Sequence, residues 1–147
     1  MSIQKWEEHT LLADIAMKEQ DHLRSIIHYQ QALSISEQMI EQEEESYDID
    51  DILTINLVSC HNLARFWRKN GDNEYELKYL QLASEKVLTL IPQCPNSQCS
   101  SYISSLGTCK KALVDFMKRH PNPLVAEQVK HLDTATQCEL IAKFRLN

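Results

Sequence analysis

The chain has 147 residues and a formal net charge of −6, with 43% hydrophobic and 24% charged residues. That length supports one domain with a proper core and is short for two. Only two glycines and four prolines are present, too few for the frequent turns an all-β chain requires. Long runs of Leu, Ala, Glu, Gln and Lys, all good helix formers, fill the space instead and predict an all-α fold.

The charge is unevenly spread. Residues 1–50 carry three bases and twelve acids, residues 51–147 twelve bases and nine acids. An acidic first third repels phosphates, so nucleic acid is not expected as a partner. No apolar run reaches the roughly 18 residues that span a bilayer, and the start, MSIQKWEEHT, lacks the basic and apolar regions of a signal peptide. No membrane is expected. Five cysteines, an odd number without secretory context, predict free thiols in a reducing compartment, hence a cytoplasmic protein.

In chain order, Trp6, Leu11, Leu12, Ile15 and Ala16 recur at helical spacing from Gln4 to about Lys18. Asp21 can cap a second helix that carries Leu23, Ile26, Ile27, Ala32, Leu33, Ile35, Met39 and Ile40. The acidic run EQEEESYDIDD follows. Its carboxylates oppose the dipole at a helix C-terminus but suit the start of the next helix, at Asp48, Asp50 and Asp51. A third helix reads Ile52, Ile55, Leu57, Cys60, Leu63, Ala64, Phe66 and Trp67. Gly71 can take the left-handed conformation that closes it, and Asp72 or Asn73 can cap a fourth running to Leu90. Pro92 and Pro95 stop that helix. A fifth spans about Gln98 to Arg119, and HPNP separates it from a sixth, about Leu124 to Leu146. Short turns favour antiparallel neighbours, so the expectation is a single domain, 1–147, of three helical hairpins at roughly 3–45, 48–91 and 97–146.

The first hairpin can be laid over the second. LLADIAMKEQDHLRSIIHYQQAL matches NLARFWRKNGDNEYELKYLQLAS at a constant offset of 51: Leu12 on Leu63, Ala13 on Ala64, Asp21 on Asp72, Tyr29 on Leu80, Ala32 on Ala83. Small residues recur where helices approach closely, the logic of a stacked helical repeat. On these residues the chain resembles the tetratricopeptide repeat family. Leu63, Ala64, Trp67, Gly71, Asp72, Leu80 and Ala83 fit its pattern, and Leu12, Ala13, Asp21, Tyr29, Ala32 and Leu33 fit with Gln20 in place of glycine. The third hairpin matches only at Ala112, Leu113 and Phe116, and the unit is about 51 residues rather than the family's 34.

The resemblance implies a right-handed stack and a binding scaffold, a protein-interaction adaptor whose first, third and fifth helices line a concave groove. The groove positions would include Glu7, Thr10, Asp14 and Met17, then His61, Arg65, Arg68 and Lys69, then Lys110, Met117 and Lys118. The middle of that face is basic, and Arg65 and Arg68, three apart on one helix, suit an acidic peptide or partner protein. The bland reading is that these charges solvate an exposed face and complement a helix C-terminus. The carboxylate clamp of some family members is incomplete: Asn62 and Lys111 fall on two of its positions, Thr10 and Asp14 on others that call for Lys and Asn.

No phosphate loop, dinucleotide fingerprint or nucleophile elbow is present. Six scattered histidines lack the spacing of a helical zinc site, and Cys94 and Cys99, five apart, would need two further ligands such as Cys60 and His61. Cys60, Cys109 and Cys138 read as small buried hydrophobes. No cofactor, metal or catalytic residue is expected. Trp6, Tyr47, Trp67 and Tyr102 are candidate anchors, with Trp67 on a packing position. Two alternatives stay open: a homodimeric chaperone or regulatory subunit, and a ligand-binding or enzymatic helical bundle.

Overall fold

A computed structural model describes residues 2–41, 48–90 and 99–145, with the backbone alone at 99–100 and 136–145. Described residues form six α-helices and no strand: α1 Ser2–Lys18, α2 His22–Glu41, α3 Ile49–Lys69, α4 Asn73–Leu90, α5 Cys99–Arg119 and α6 Pro123–Arg145. The chain is all-α, as its composition dictates. None of these helices is long and apolar enough to cross a membrane. Cys94 and Tyr47, with the acidic run at 43–45 and the two prolines of the fourth linker, lie outside the described residues, as do the side chains of Cys99 and Cys138.

Aspartates start the helices where the sequence places them. Asp48 is extended and its side chain accepts from the Asp50 amide. The carboxylates of Asp21 and Asp72 accept from the Arg24 and Tyr75 amides at 3.2 and 3.0 Å. Asn122 plays the same part for α6, accepting from the Leu124 amide at 2.9 Å, with Pro123 in the first helical position, where a missing N–H costs nothing.

The first two turns share one geometry, offset by 51 residues. After α1, the Gln20 amide donates to the Met17 carbonyl at 3.1 Å and the Asp21 amide to Ala16 at 2.9 Å; after α3, Gly71 donates to Arg68 at 3.1 Å and Asp72 to Trp67 at 2.9 Å. Both turns are closed by a left-handed residue, Gln20 at φ 60° and Gly71 at φ 76°. This is the paired hydrogen-bond arrangement that satisfies the last carbonyls of a helix. Among the described residues no others have positive φ, so the third turn, through HPNP, is built differently.

Burial follows the same offset. The buried positions of α2 are Ser25, Tyr29, Ala32, Leu33, Ser36 and Met39; 51 residues on, Glu76, Leu80, Ala83, Ser84, Val87 and Leu90 are all buried. The chain divides into two compact units, Met1–Tyr79 and Leu80–Asn147. In the first, α1 packs on α2 and α2 on α3, with Ala13 and Ala16 letting α1 lie close to α2. In the second, α5 packs on α6. There α5 buries Tyr102, Leu106, Cys109, Leu113 and Phe116, alternately four and three residues apart, and α6 buries Val125 and Leu132. Gly107 has nothing within 4 Å of where a Cβ would stand, so no close approach requires it.

Gln20 occupies a conformation that costs a residue with a Cβ roughly 1 kcal/mol or more. Gln20→Gly is therefore expected to stabilise the fold by about 1 kcal/mol, and Gly71→Ala to destabilise it by a similar amount. Urea unfolding curves should show opposite shifts in midpoint with unchanged slopes.

Candidate functional site on the first and third helices

The groove residues of the first unit come from two helices. On α1, the Thr10 hydroxyl bonds back to the Trp6 carbonyl at 2.8 Å and is half-buried, as are Asp14 and Met17. Glu7 is exposed. On α3, His61 is half-buried, while Arg65, Arg68 and Lys69 are exposed. Trp6 ties the two helices together, its indole donating to the Ser59 hydroxyl at 2.7 Å, and that hydroxyl bonds to the Ile55 carbonyl.

The structure brings Asp14 and Arg65 together through a third residue. Tyr29 of α2 donates its phenolic hydrogen to the Asp14 carboxylate. The same carboxylate oxygen lies 3.9 Å from Arg65 Nη2, and that nitrogen donates to Asn62 Oδ1 at 2.9 Å. Tyr29 and Asn62 are buried, so they hold fixed positions while the guanidinium remains in solvent. A charged acceptor and a charged donor make such hydrogen bonds stronger than neutral ones. Burial, and then the Asp14 carboxylate, push the Tyr29 hydroxyl up from its ordinary 10.0 to about 12, with Arg65 acting in the opposite sense.

Asp14 offsets part of the Arg65 charge. Arg68 and Lys69 form no ion pair among the described residues, so the free positive charge of this face sits one turn further along α3. Burial holds the His61 imidazole below its ordinary 6.5, and its Nε2 is buried without a hydrogen-bond partner. The neutral ring therefore belongs to the folded state, and acidification through that range opposes folding. Trp67 is stacked on Tyr75 at 4.7 Å and edge-on to Phe66 at 5.1 Å, so it packs the turn.

In the second unit, Lys110 is paired with Asp133 at 2.6 Å, joining α5 to α6; Lys111 and Lys118 are exposed and Met117 is half-buried. Tyr102 is wholly buried and therefore belongs to the packing rather than to any surface. A cleft of about 710 Å³ lies between α4 and α6, lined in part by Gln81, Leu88, Leu124, Gln128 and His131, with Gln81 donating to Gln128 at 3.0 Å. Cys60 and Cys109 are buried free thiols, and burial raises the Cys109 thiol to about 12, which makes it unreactive. Among the described residues, no cluster of three or more His, Cys, Asp or Glu side chains could hold a metal ion.

Sequence reasoning named Asp14, Asn62 and Arg65 but did not join them, and it took Tyr29 only as a packing position. The available signal was a hydroxyl at Tyr29 where the matched position is Leu80.

The molecule is thus a helical-hairpin protein with a polar network between its first three helices. The chain belongs to the family described as protein of unknown function (DUF2753), whose model matches residues 4–147. It is 66% identical over 145 residues to the uncharacterized protein VP2110 of Vibrio parahaemolyticus serotype O3:K6 (strain RIMD 2210633), an alignment covering 99% of each chain. No solved structure matches it.

Because the folded state holds the Tyr29 proton more tightly than the unfolded chain, stability contributed by this group is complete below pH 10 and lost as pH rises towards 12. In an alkaline absorbance titration one of the five tyrosines should ionise last, and Tyr29→Phe should remove that phase and cost about 1 kcal/mol of stability at neutral pH.

Proposed function

We propose that this protein is a non-enzymatic interaction module whose α1–α3 surface takes an acidic segment of a partner protein. One observation carries the reading: Arg65 is held in place by buried Tyr29 and Asn62 and by Asp14, yet remains exposed beside the unpaired charges of Arg68 and Lys69. A surface arginine that only solvates a helix needs no such support. A guanidinium fixed before binding loses less freedom on meeting a carboxylate, which is how preorganisation raises affinity. The recurrence of turn and buried positions every 51 residues supports a degenerate tetratricopeptide-like repeat, an architecture suited to extended binding surfaces. Lys110 contributes less on this reading, since Asp133 already neutralises it. The buried free thiols fit a cytoplasmic setting.

A second reading, a bundle that binds a small ligand, has support in the α4–α6 cleft, whose size falls in the range of ligand sites. The two are separated by the charge of α3.

Immobilised wild type, Arg65→Glu/Arg68→Glu and Arg68→Glu/Lys69→Glu should be compared as baits in lysate of the producing organism. Under the interaction reading, a partner is retained by wild type, is released by added salt, and is reduced by about tenfold or more in both variants. The second variant leaves the Asp14–Tyr29–Arg65 network intact, so its loss of binding cannot be attributed to disturbed packing. Equal retention by all three baits would refute the α1–α3 surface as the site.

A further inference from the structure

The second hairpin buries a face that the first hairpin leaves open. Cys60, Leu63 and Phe66 of α3 and Tyr79 of α4 are all buried. Part of their cover is the first hairpin: α2 packs on α3, His22 sits edge-on to Phe66 at 6.4 Å, and the Gln30 amide donates to the Tyr79 hydroxyl at 2.6 Å. Fifty-one residues earlier the corresponding positions are His9, Leu12, Ile15 and His28. There Leu12 and Ile15 are 44% and 43% exposed. His9 and His28 are half-buried and joined through their Nδ1 atoms at 3.0 Å. No preceding hairpin exists within residues 1–147 to cover them.

The exposed α1 face has a pattern of its own. Lys5, Glu8, Leu12, Ile15 and Glu19 are spaced three, four, three and four apart, and all five are exposed. That is the spacing of a coiled-coil seam. Its centre is apolar, widened by Leu11 at 61% exposure, and its ends carry opposite charges. At 100° per residue, Asp14 lies about 160° round the helix from Leu12, so this seam is separate from the Arg65 surface.

We propose that the seam pairs with the same seam of a second copy, antiparallel, about a twofold axis at Leu12. Leu12 then meets Leu12 of the other copy, with Ile15 and Leu11 flanking, and Lys5 at each end meets Glu19 of the other copy. A twofold interface must be self-complementary, and this one is. A parallel pairing would set Lys5 against Lys5 and Glu19 against Glu19. A partner of one uniform charge would gain at one end and lose at the other. The occupant that satisfies both ends is an antiparallel copy of the same helix. This inference is independent of the proposed function, since it uses the opposite side of α1.

Sedimentation velocity at protein concentrations up to about 100 µM on wild type, Leu12→Glu, Lys5→Glu and Lys5→Glu/Glu19→Lys tests it. Wild type should sediment as twice the 17.1 kDa chain mass and Leu12→Glu as the monomer, with circular dichroism unchanged because the site is exposed. Lys5→Glu should weaken the dimer by about tenfold, and the double reversal should restore it to within about threefold. A monomeric wild type, a dimer indifferent to Leu12→Glu, or a double reversal no better than Lys5→Glu alone would each overturn the proposal. Should Leu12→Glu lose its helical signal, the charge-reversal pair decides the matter by itself.

Discussion

A helix that must reverse direction within three residues has few ways to do so, and most of what is described here depends on the one used at Gln20 and Gly71. The left-handed residue lets the next two amides bond back to the final turn, at the same four positions in both hairpins. The reversal fixes the register of each hairpin. In the first, that register sets Ala13 and Ala16 against α2 and brings Tyr29 within reach of Asp14. Glycine accepts this backbone without cost, and Gln20 does not. The first hairpin therefore holds some strain at its turn, offset by the packing of α1 on α2.

From that register follows a division of the α1 surface. One side, with Thr10, Asp14 and Met17, faces the polar network that reaches Tyr29 and Arg65. The other, with Leu12 and Ile15, is a packing face whose counterpart in the second hairpin is buried. The same repeat thus accounts for both an organised charge and an uncovered apolar seam. In a stack, each hairpin covers the next, and the terminal one is left with an open face unless its residues turn polar. Here the ends of that face are charged and its middle is not.

The charges of α3 show why a run of basic residues is ambiguous until packing is known. Arg65, Arg68 and Lys69 look alike as letters. In the fold, Arg65 is supported from beneath by two buried side chains, whereas Arg68 and Lys69 stand in solvent near the helix end. Lys110, equally basic, is neutralised by Asp133. Charge at a position is a property of composition, but free charge depends on which carboxylate lies across the interhelical contact.

The sequence by itself determined the helices, their caps and the repeat. Periodicity, Asp48, Asp21 and Asp72, and the small residues at Ala13, Ala32, Ala64 and Ala83 act locally, over a few residues, so they can be read along the chain. Only the tertiary structure decided that Asp14, Tyr29 and Arg65 form one network, because their contact requires three helices at fixed spacing and no pattern spans it. The fate of Leu12 and Ile15 was settled in the same way. Their letters match the buried Leu63 and Phe66 in apolar character, and what differs is whether a neighbouring hairpin exists to cover them.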